Sequence, residues 1–518
     1  MRGITKQGAI ALRGEGATVD CSQAQKRIVL IVAILGSTLG FIDGTIVAII
    51  APAIRADLSA SLTELSWVVN GYTLVLTAFI LVGGSAGDAL GRRKVFGLGI
   101  AIFAVASLAC AIAAGAGQLI GARVVQGIGA ALMVPSSLAL IATYYPKEER
   151  GRAVGVWAAA SGVSAAIGPL LGGLMVDVLG WRSTFYINLP LAGVTLWLLY
   201  ARVPDDAHGA EAKRLDWPGA CLAVVSLGLL ALALTLLGES DGLSDAFNVG
   251  PVGLVTMTAA GLAFAGVFLW HEARTLEPMM PLYLFGASSF SAVNAATFLL
   301  YAALGGLLFF LPVTLLSAFD LPAVLVGALF LPFTAVMAVL TPRVGSLVDQ
   351  IGVRWPLAGG SALAGIAFWL TSPAIASGSL VWVGAAMVLL GLGMALCIPP
   401  LSTAIINAVS EDHSGVASGI NNAVSRAGGL FAVAAFAPLA ALMYAASGDP
   451  GVPGFGVPVV GGSAVLTDAH RAASLAAYNA LAIAAALLAL ASSLLIMIFV
   501  RSSLPDNEGA ASHEKHGA

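Results

Sequence analysis

Long apolar runs alternate with short polar breaks along the whole chain. The hydrocarbon core of a bilayer needs about 20 apolar residues per helix, so each run of that length predicts one membrane-spanning helix. The pattern predicts an all-α polytopic membrane protein, with a loop in the Gly-, Pro- and Val-rich segment near 446–474. Fourteen runs are long enough, at about residues 28–51, 64–84, 95–113, 118–142, 153–175, 183–201, 217–237, 251–271, 288–313, 323–343, 356–375, 380–402, 416–445 and 475–500.

Lysine and arginine are unequally shared between the two sets of connecting segments. If the N-terminus is cytoplasmic, the outer segments contain Arg55, Arg182 and Arg471, and most other basic residues fall in the inner segments. Short cytoplasmic loops of membrane proteins carry the excess of Lys and Arg. We therefore expect a multi-pass protein of the cell inner (plasma) membrane, with both termini in the cytoplasm and an even number of helices.

Composition narrows the class of protein further. Of the 518 residues, 59% are hydrophobic and 10% are charged, whereas soluble domains contain about 25% charged residues. The net charge of −3 argues against a nucleic-acid partner. Four scattered cysteines predict neither a disulfide nor a metal site. Because no cleavage site precedes the first apolar run, we expect that run to be a retained helix and not a signal peptide.

Two motifs occur twice in the chain. GSAGDALGR at 84–92 is repeated as GSLVDQIGVR at 345–354, and GIGAALMVP at 127–135 is repeated as GLGMALCIP at 391–399. Such duplication predicts two related six-helix bundles that rock about a central site. The predicted units are a cytoplasmic tail at 1–27, a bundle at 28–201, inserted helices 7 and 8 with their loops at 202–287, a second bundle at 288–500 and a cytoplasmic tail at 501–518.

The first duplicated motif predicts a pair of inner latches. Asp88 with Arg92, and Asp349 with Arg354, are expected in the cytoplasmic turns that follow helices 2 and 10. Charge pairs at these turns would break when the inward mouth opens. The alternative is a plain loop whose cations only follow the positive-inside rule.

Ionisable side chains within a span are costly and are therefore candidates for function. Asp43 is the one carboxylate deep in a predicted helix, and its depth of ~12 Å from the outer end of helix 1 is compatible with ~7 Å for Arg123 on helix 4. Burial favours the neutral carboxyl and a nearby cation favours the carboxylate, so the pair suits proton coupling. The repeat replaces Arg123 by Met387 and Gln126 by Leu390, so the helix itself does not require Arg123. The alternative is a static pair that holds helices together.

Polar and aromatic side chains on three further helices are candidates for substrate binding. Isolated amides among aromatic rings suit an amphipathic ligand, although such residues also occur in packing or against lipid. Arg426 would attract an anion or pair with carbonyl groups, and Asn294, Phe298 and Tyr301 are spaced to share one helix face. The full set is Asn70, Tyr72, Asn294, Phe298, Tyr301, Asn421, Asn422 and Arg426.

Several motifs together resemble a known family. In chain order they are LGFIDGTIVAIIAPAI (39–54), GDALGRRK (87–94), LIGARVVQGIGAA (119–131), SGVSAAIGPLLGG (161–173), WRSTFYINLP (181–190), LDWPG (215–219) and SGINNAVSRAGGL (418–430). Each is weak alone, but their order and spacing resemble the major facilitator superfamily, and specifically its fourteen-helix drug/proton antiporter branch of multidrug efflux permeases.

The resemblance implies roles for particular residues. It assigns proton coupling to Arg123 and Asp43, and it implies that the helix-5 antiporter motif marks an exporter. The alternative for that motif is tight helix packing without directional meaning. Its residues in this chain are Gly162, Gly168, Pro169 and Gly172.

The expected activity is export of amphipathic or lipophilic small molecules (drugs) by alternating access, driven by a proton gradient and without a cofactor. The sequence contains no GxxxxGK[ST] phosphate loop, no HExxH and no catalytic triad pattern, so we expect no enzyme. The expected partners are the substrate, protons, membrane lipids and an accessory efflux partner. The alternatives are a dedicated exporter of one metabolite and a membrane-embedded protein that does not transport.

Overall fold

The computed structural model describes residues 22–205, 216–237, 250–276, 278–409, 414–447, 454–459 and 463–500. The regular elements in these ranges are α-helices and one short 3-10 helix, Leu282–Gly286, and the ranges contain no strand. The predicted tails lie almost entirely outside them. The helices are α1 Gln23–Leu58, α2 Leu62–Leu90, α3 Arg92–Ala111, α4 Ala116–Tyr144, α5 Lys147–Leu179, α6 Ser183–Tyr186, α7 Asn188–Arg202, α8 Trp217–Leu236, α9 Pro251–Arg274, α10 Ser288–Phe319, α11 Ala323–Ala328, α12 Leu331–Ile351, α13 Arg354–Ala376, α14 Leu380–Asn407, α15 Ser414–Ser447 and α16 Ala464–Phe499.

Among the described residues, twelve helical stretches are long and apolar enough to cross a membrane. One consists of α6 and α7 together, and another combines α11 with most of α12. The helix is interrupted between α11 and α12 at Leu329 and Phe330, and Pro332 follows within the first turn of α12. A proline has no N–H to donate and is tolerated in the first turn of a helix, which explains why the new helix starts there.

The helices extend past the apolar runs at several ends, because polar caps satisfy their first amides. Ser22 and Ser61 form capping boxes with Gln25 and Glu64 at the starts of α1 and α2. At α16 the side chain of Ser463 accepts a hydrogen bond from the amide of Leu466. The prediction of a loop up to residue 474 was therefore wrong for its last eleven residues, which are helical.

The duplicated GSxxDxxG motifs lie on helix ends and only their last glycine is in the turn, which corrects the sequence expectation. Helix α2 continues to Leu90 and α12 to Ile351, so Asp88 and Asp349 belong to their last turns. Gly91 and Gly352 follow with φ of +97° and +75°. That left-handed region is easily reached only by glycine, so the turn is confined to the glycine after each helix.

The second duplicated motif makes the same contacts in both halves. A Cβ added to Gly127 of α4 would lie 2.6 Å from the carbonyl oxygen of Tyr72 on α2, and one added to Gly391 of α14 would lie 2.6 Å from that of Phe333 on α12. Two residues later, Gly129 and Gly393 approach the backbones of α3 and α13 equally closely. Glycines are thus required because the backbones of neighbouring helices lie in direct contact with the backbones of α4 and α14.

Two groups of helices pack around a central space. Helices α1 to α7 form the N-terminal bundle and α10 to α16 form the C-terminal bundle. The bundles touch where α1 meets α10, where α2 meets α15, and where α5 meets α11 and α12. Helix α8 packs on α2 and α15, whereas α9 packs mainly on α8. The Asp216 carboxylate accepts from the Gly219 amide at 2.9 Å and lies 2.7 Å from Nε2 of His271, which joins the ends of α8 and α9.

Candidate functional site

A fully buried ion pair lies inside the N-terminal bundle. Asp43 of α1 and Arg123 of α4 are each 1% exposed, and Nη1 of Arg123 lies 2.5 Å from Oδ2 of Asp43. The other carboxylate oxygen accepts a 2.9 Å hydrogen bond from Nε2 of Gln126 and a longer one, 3.5 Å, from Nδ2 of Asn188. Both carboxylate oxygens therefore have donors, as a buried charge requires.

The Arg123 guanidinium is held from several sides. Its Nε donates to the carbonyl oxygen of Val68 at 3.0 Å, and its Nη1 also donates to Oε1 of Gln126 at 2.6 Å. The ring centroid of Tyr72 lies 4.3 Å from its Cζ, and that of Phe185 lies 5.9 Å away. Stacking on aromatic faces adds to the hydrogen bonds in stabilising a buried cation.

Ser107 of α3 completes the cluster. Its hydroxyl accepts from Nε2 of Gln126 at 2.9 Å and from Nδ2 of Asn188 at 3.2 Å. We call Asp43, Ser107, Arg123, Gln126 and Asn188 the buried polar network. The sequence pointed to Arg123 and Gln126 because the repeat lacks both, but nothing distinguishes Ser107 or Asn188 before the helices are assembled.

A cavity of about 1830 Å³ separates the two bundles. It reaches Arg92 and Asp216 at the face where α1 begins and α16 ends, which we call the terminal face. At the opposite face the bundles are closed by an apolar cluster that includes Ile50 and Ile54 of α1 and Phe310 of α10. The cavity is thus directed to one side of the molecule.

Two polar contacts between the bundles accompany this apolar closure. Arg55 of α1 donates to the carbonyl oxygen of Phe455, in the segment between α15 and α16. The carboxylate of Asp177 on α5 accepts from the amide of Val324 at 2.9 Å and from the amide of Ala323 at 3.2 Å, at the start of α11. These contacts must break if the cavity is to open at that face.

Most of the predicted substrate residues lie on the cavity wall, but two do not. Its lining includes Asn70, Tyr72, Tyr301, Asn421, Asn422 and Arg426. Asn294 instead donates to the carbonyl of Phe290 and accepts from Nδ2 of Asn421 at 3.2 Å. The ring of Phe298 packs on Phe431 of α15, with centroids 6.1 Å apart. The three residues share one face of α10, but α15 covers that face at Asn294 and Phe298, and it reaches the cavity at Tyr301. Their role in substrate binding stays a prediction.

The predicted latch arginines contact their own bundles. Nη1 of Arg92 donates to the hydroxyl of Thr143 on α4 at 2.6 Å. Arg354 donates to the carbonyl oxygen of Met497 on α16. The side chains of their predicted partners, Asp88 and Asp349, lie outside the described part of the structure. These contacts join each arginine to a neighbouring helix, and the latch remains a prediction.

The helix-5 motif lies at two helix contacts. A Cβ at Gly168 or Gly172 would collide with Thr45 or Ile46 of α1. The carbonyl of Pro169 lies against Gly327 of α11, across the bundle boundary. Gly162 lies earlier on the same helix. Close approach of α5 to both α1 and α11 explains the small residues here.

Known proteins share this sequence pattern and architecture. The sequence profile of the Major Facilitator Superfamily matches residues 33–433. The "Multidrug resistance protein Stp" of Mycobacterium tuberculosis is 33% identical over 425 residues, which are 82% of this chain and 77% of that protein. The "Methylenomycin A resistance protein" of Bacillus subtilis is 32% identical, over 84% of this chain and 93% of its own.

Solved structures show the same fold. A bacterial homologue of the human lysosomal transporter Spinster, crystallised in an inward-facing and unoccupied conformation, gives a TM-score of 0.66 at 16% identity, over 92% of this chain and 98% of that one. The inward-open xylose transporter XylE from E. coli gives 0.61 at 14% identity, over 94% and 99%. Family and fold are those of multi-pass transporters of small molecules, which are not enzymes. The chain therefore belongs to the Major Facilitator Superfamily.

Proposed function

We propose that this protein exports amphipathic or lipophilic small molecules across the cell membrane in exchange for protons, by alternating access. The observation that carries the proposal is the Asp43–Arg123 pair, which is fully buried and lies behind the wall of the central cavity. The side chains of Arg123 and Tyr72 separate Asp43 from that space. A proton site next to a ligand cavity is the arrangement that an antiporter needs.

The chemistry of the pair supports coupling. Removing one member of a buried ion pair leaves an uncompensated charge that costs about 3–5 kcal/mol. Protonation of Asp43 removes such a partner, so Arg123 must then find another acceptor or move toward water. Because Asp43 and Arg123 belong to α1 and α4, we infer that proton binding favours a different packing of these helices and thereby a different state of the cavity.

We assign the described conformation to the inward-facing state, with the terminal face in the cytoplasm as the positive-inside rule favours. Helices α2 and α5, of 29 and 33 residues, complete fourteen membrane spans. The bundles and the inserted pair α8 and α9 are then the units that sequence duplication predicts. The latch at Asp88, Arg92, Asp349 and Arg354 would hold the terminal face closed in the other state. The names of the relatives, which refer to multidrug and antibiotic resistance, support drugs as the substrate class.

Everted membrane vesicles energised with a proton gradient provide the test. We expect uptake of the neutral lipophilic dye Nile red that stops when an uncoupler is added, and that falls to background in Asp43→Asn. The matched control is Asp468→Asn, because Asp468 is an exposed carboxylate far from the network. Uncoupler-sensitive uptake that is unchanged in Asp43→Asn would remove Asp43 from the mechanism. Absence of proton-driven movement of any probe would overturn the proposed function.

A further inference from the structure

The wall of the cavity carries few charges. Within the described part of the chain, its charged lining residues are Arg92, Arg123, Asp216 and Arg426. Arg123 is neutralised by Asp43 at 2.5 Å. Arg92 and Asp216 lie at the terminal face, at the first residue of α3 and the N-cap of α8. Among the described lining residues, Arg426 is therefore the one uncompensated charge in the middle of this wall.

The contacts of Arg426 leave most of its guanidinium available. Its Nε donates to Oδ1 of Asn422, one turn earlier on the same helix, at 3.1 Å. No carboxylate oxygen of the described residues lies within 4.0 Å of the Arg426 guanidinium, the longest distance for an ion pair. The residue is about twelve positions from the start of α15, or ~18 Å along the helix axis. A cation at that depth is costly unless an anion or several acceptors accompany it.

The surroundings of Arg426 offer room and aromatic surface. Tyr72 and Tyr301 line the same cavity as Arg426. A side pocket of about 200 Å³ lies between Arg426, Tyr72 and the glycines of α1. A Cβ added to Gly44 would have no atom within 4 Å, so this wall is open. The adjoining surface is apolar and includes Phe41, Phe309, Phe330, Met337 and Met394.

We propose that Arg426 binds an acidic group of the substrate, and that the preferred substrates are lipophilic organic anions and not lipophilic cations. The inference rests on the proposed function and specifies its substrate class. A guanidinium binds a carboxylate or sulfonate through two parallel hydrogen bonds. The apolar wall would take the body of the same molecule. A lipophilic cation would meet the charge of Arg426 with no carboxylate nearby to offset it.

Three probes with one aromatic body test the proposal: naphthoate, naphthamide and naphthyltrimethylammonium. Their affinities for the purified full-length protein are measured directly, without transport. We expect naphthoate to bind at least about tenfold more tightly than the ammonium probe, which corresponds to one charge-assisted hydrogen bond. In Arg426→Gln we expect naphthoate affinity to fall about tenfold or more, and naphthamide affinity to stay within about twofold.

Further variants keep the result interpretable. Arg426→Lys retains the charge but not the fork, so an intermediate affinity for naphthoate is expected. Arg426→Glu should reverse the preference between naphthoate and the ammonium probe. Arg274→Gln, which removes an exposed arginine that stacks on Trp270, is the control and should bind all three probes normally. Unchanged naphthamide binding shows that each variant is folded.

The outcomes separate this inference from the proposed function. Equal affinity of the unaltered protein for anion and cation, or unchanged naphthoate binding in Arg426→Gln, overturns the anion site, even if Nile red is still exported. Conversely, naphthoate binding that depends on Arg426 supports the site even if no probe is moved by a proton gradient, a result that overturns antiport alone.

Discussion

The two bundles share their backbone packing but differ in their polar contents. Gly127 and Gly391 make equivalent close contacts on α4 and α14. One turn earlier, α4 carries Arg123 of the buried polar network, whereas the equivalent residue of α14 is Met387, which is also fully buried. The same scaffold thus encloses an ion pair in one half and an apolar core in the other.

The difference also affects the two membrane-embedded arginines. Arg123 in the N-terminal bundle has a carboxylate at 2.5 Å, whereas the partner of Arg426 among the described residues is the side-chain oxygen of Asn422 at 3.1 Å. An arginine paired with a carboxylate is suited to control whether that carboxylate binds a proton. An arginine without such a partner is suited to attract an anion. We therefore expect that proton binding and substrate charge recognition are divided between the halves.

The largest expected effect comes from replacing Arg123 of the N-terminal bundle by methionine, the residue found at the equivalent position of the C-terminal bundle. Arg123→Met leaves Asp43 as an uncompensated buried charge, which should reduce the free energy of unfolding by about 3–5 kcal/mol. The double variant Asp43→Leu with Arg123→Met removes both charges and should recover most of this stability while transport stays absent. Thermal unfolding of the two purified variants measures their stability, and dye uptake into everted vesicles measures their transport. A double variant as unstable as Arg123→Met would contradict the neutralisation of each charge by the other.

A smaller effect, equal in the two halves, is expected from the shared glycines. Gly127→Ala and Gly391→Ala each place a methyl group against a neighbouring backbone, and overpacking of this kind costs about 1–3 kcal/mol. Gly121→Ala in the same helix is the control, because a Cβ there has no atom within 4 Å. Loss of stability in one half alone would show that the duplicated contacts are not equivalent.

The smallest effect is expected from exchanging a hydrogen-bonding residue for its apolar equivalent. Gln126→Leu copies Leu390 and removes donors to Asp43 and Ser107, at a cost of about 1.5 kcal/mol for a hydrogen bond to a charged group. We expect slower proton-driven dye uptake with normal Nile red binding. Leu390→Met, a nearly volume-conserving change in the other half, should leave uptake as it was. Equal uptake in both variants would argue that the network needs only Asp43 and Arg123.

Much of the fold was accessible from local pattern, whereas side-chain direction was not. The apolar runs located the helices, and the duplicated motif identified α4 and α14 as counterparts. The ends of α2 and α12 were predicted several residues too early, because hydrophobicity stops at the membrane surface and helical hydrogen bonding does not. Asn294, Phe298 and Tyr301 share a face of α10 as their spacing predicts, yet spacing does not determine which part of that face α15 covers.

The sequence was sufficient to predict the class of protein, the duplication and the two candidate charged residues, Asp43 and Arg123. These depend on apolar runs, residue counts and motifs that are contiguous along the chain. The tertiary structure alone brought Ser107 and Asn188 to Asp43 and left Arg426 without a carboxylate partner in the described part of the chain. Those relations join residues from helices far apart in sequence, and they depend on helix rotation and depth. The physical reason is that a buried charge is stabilised by whatever donors or acceptors surround it in three dimensions.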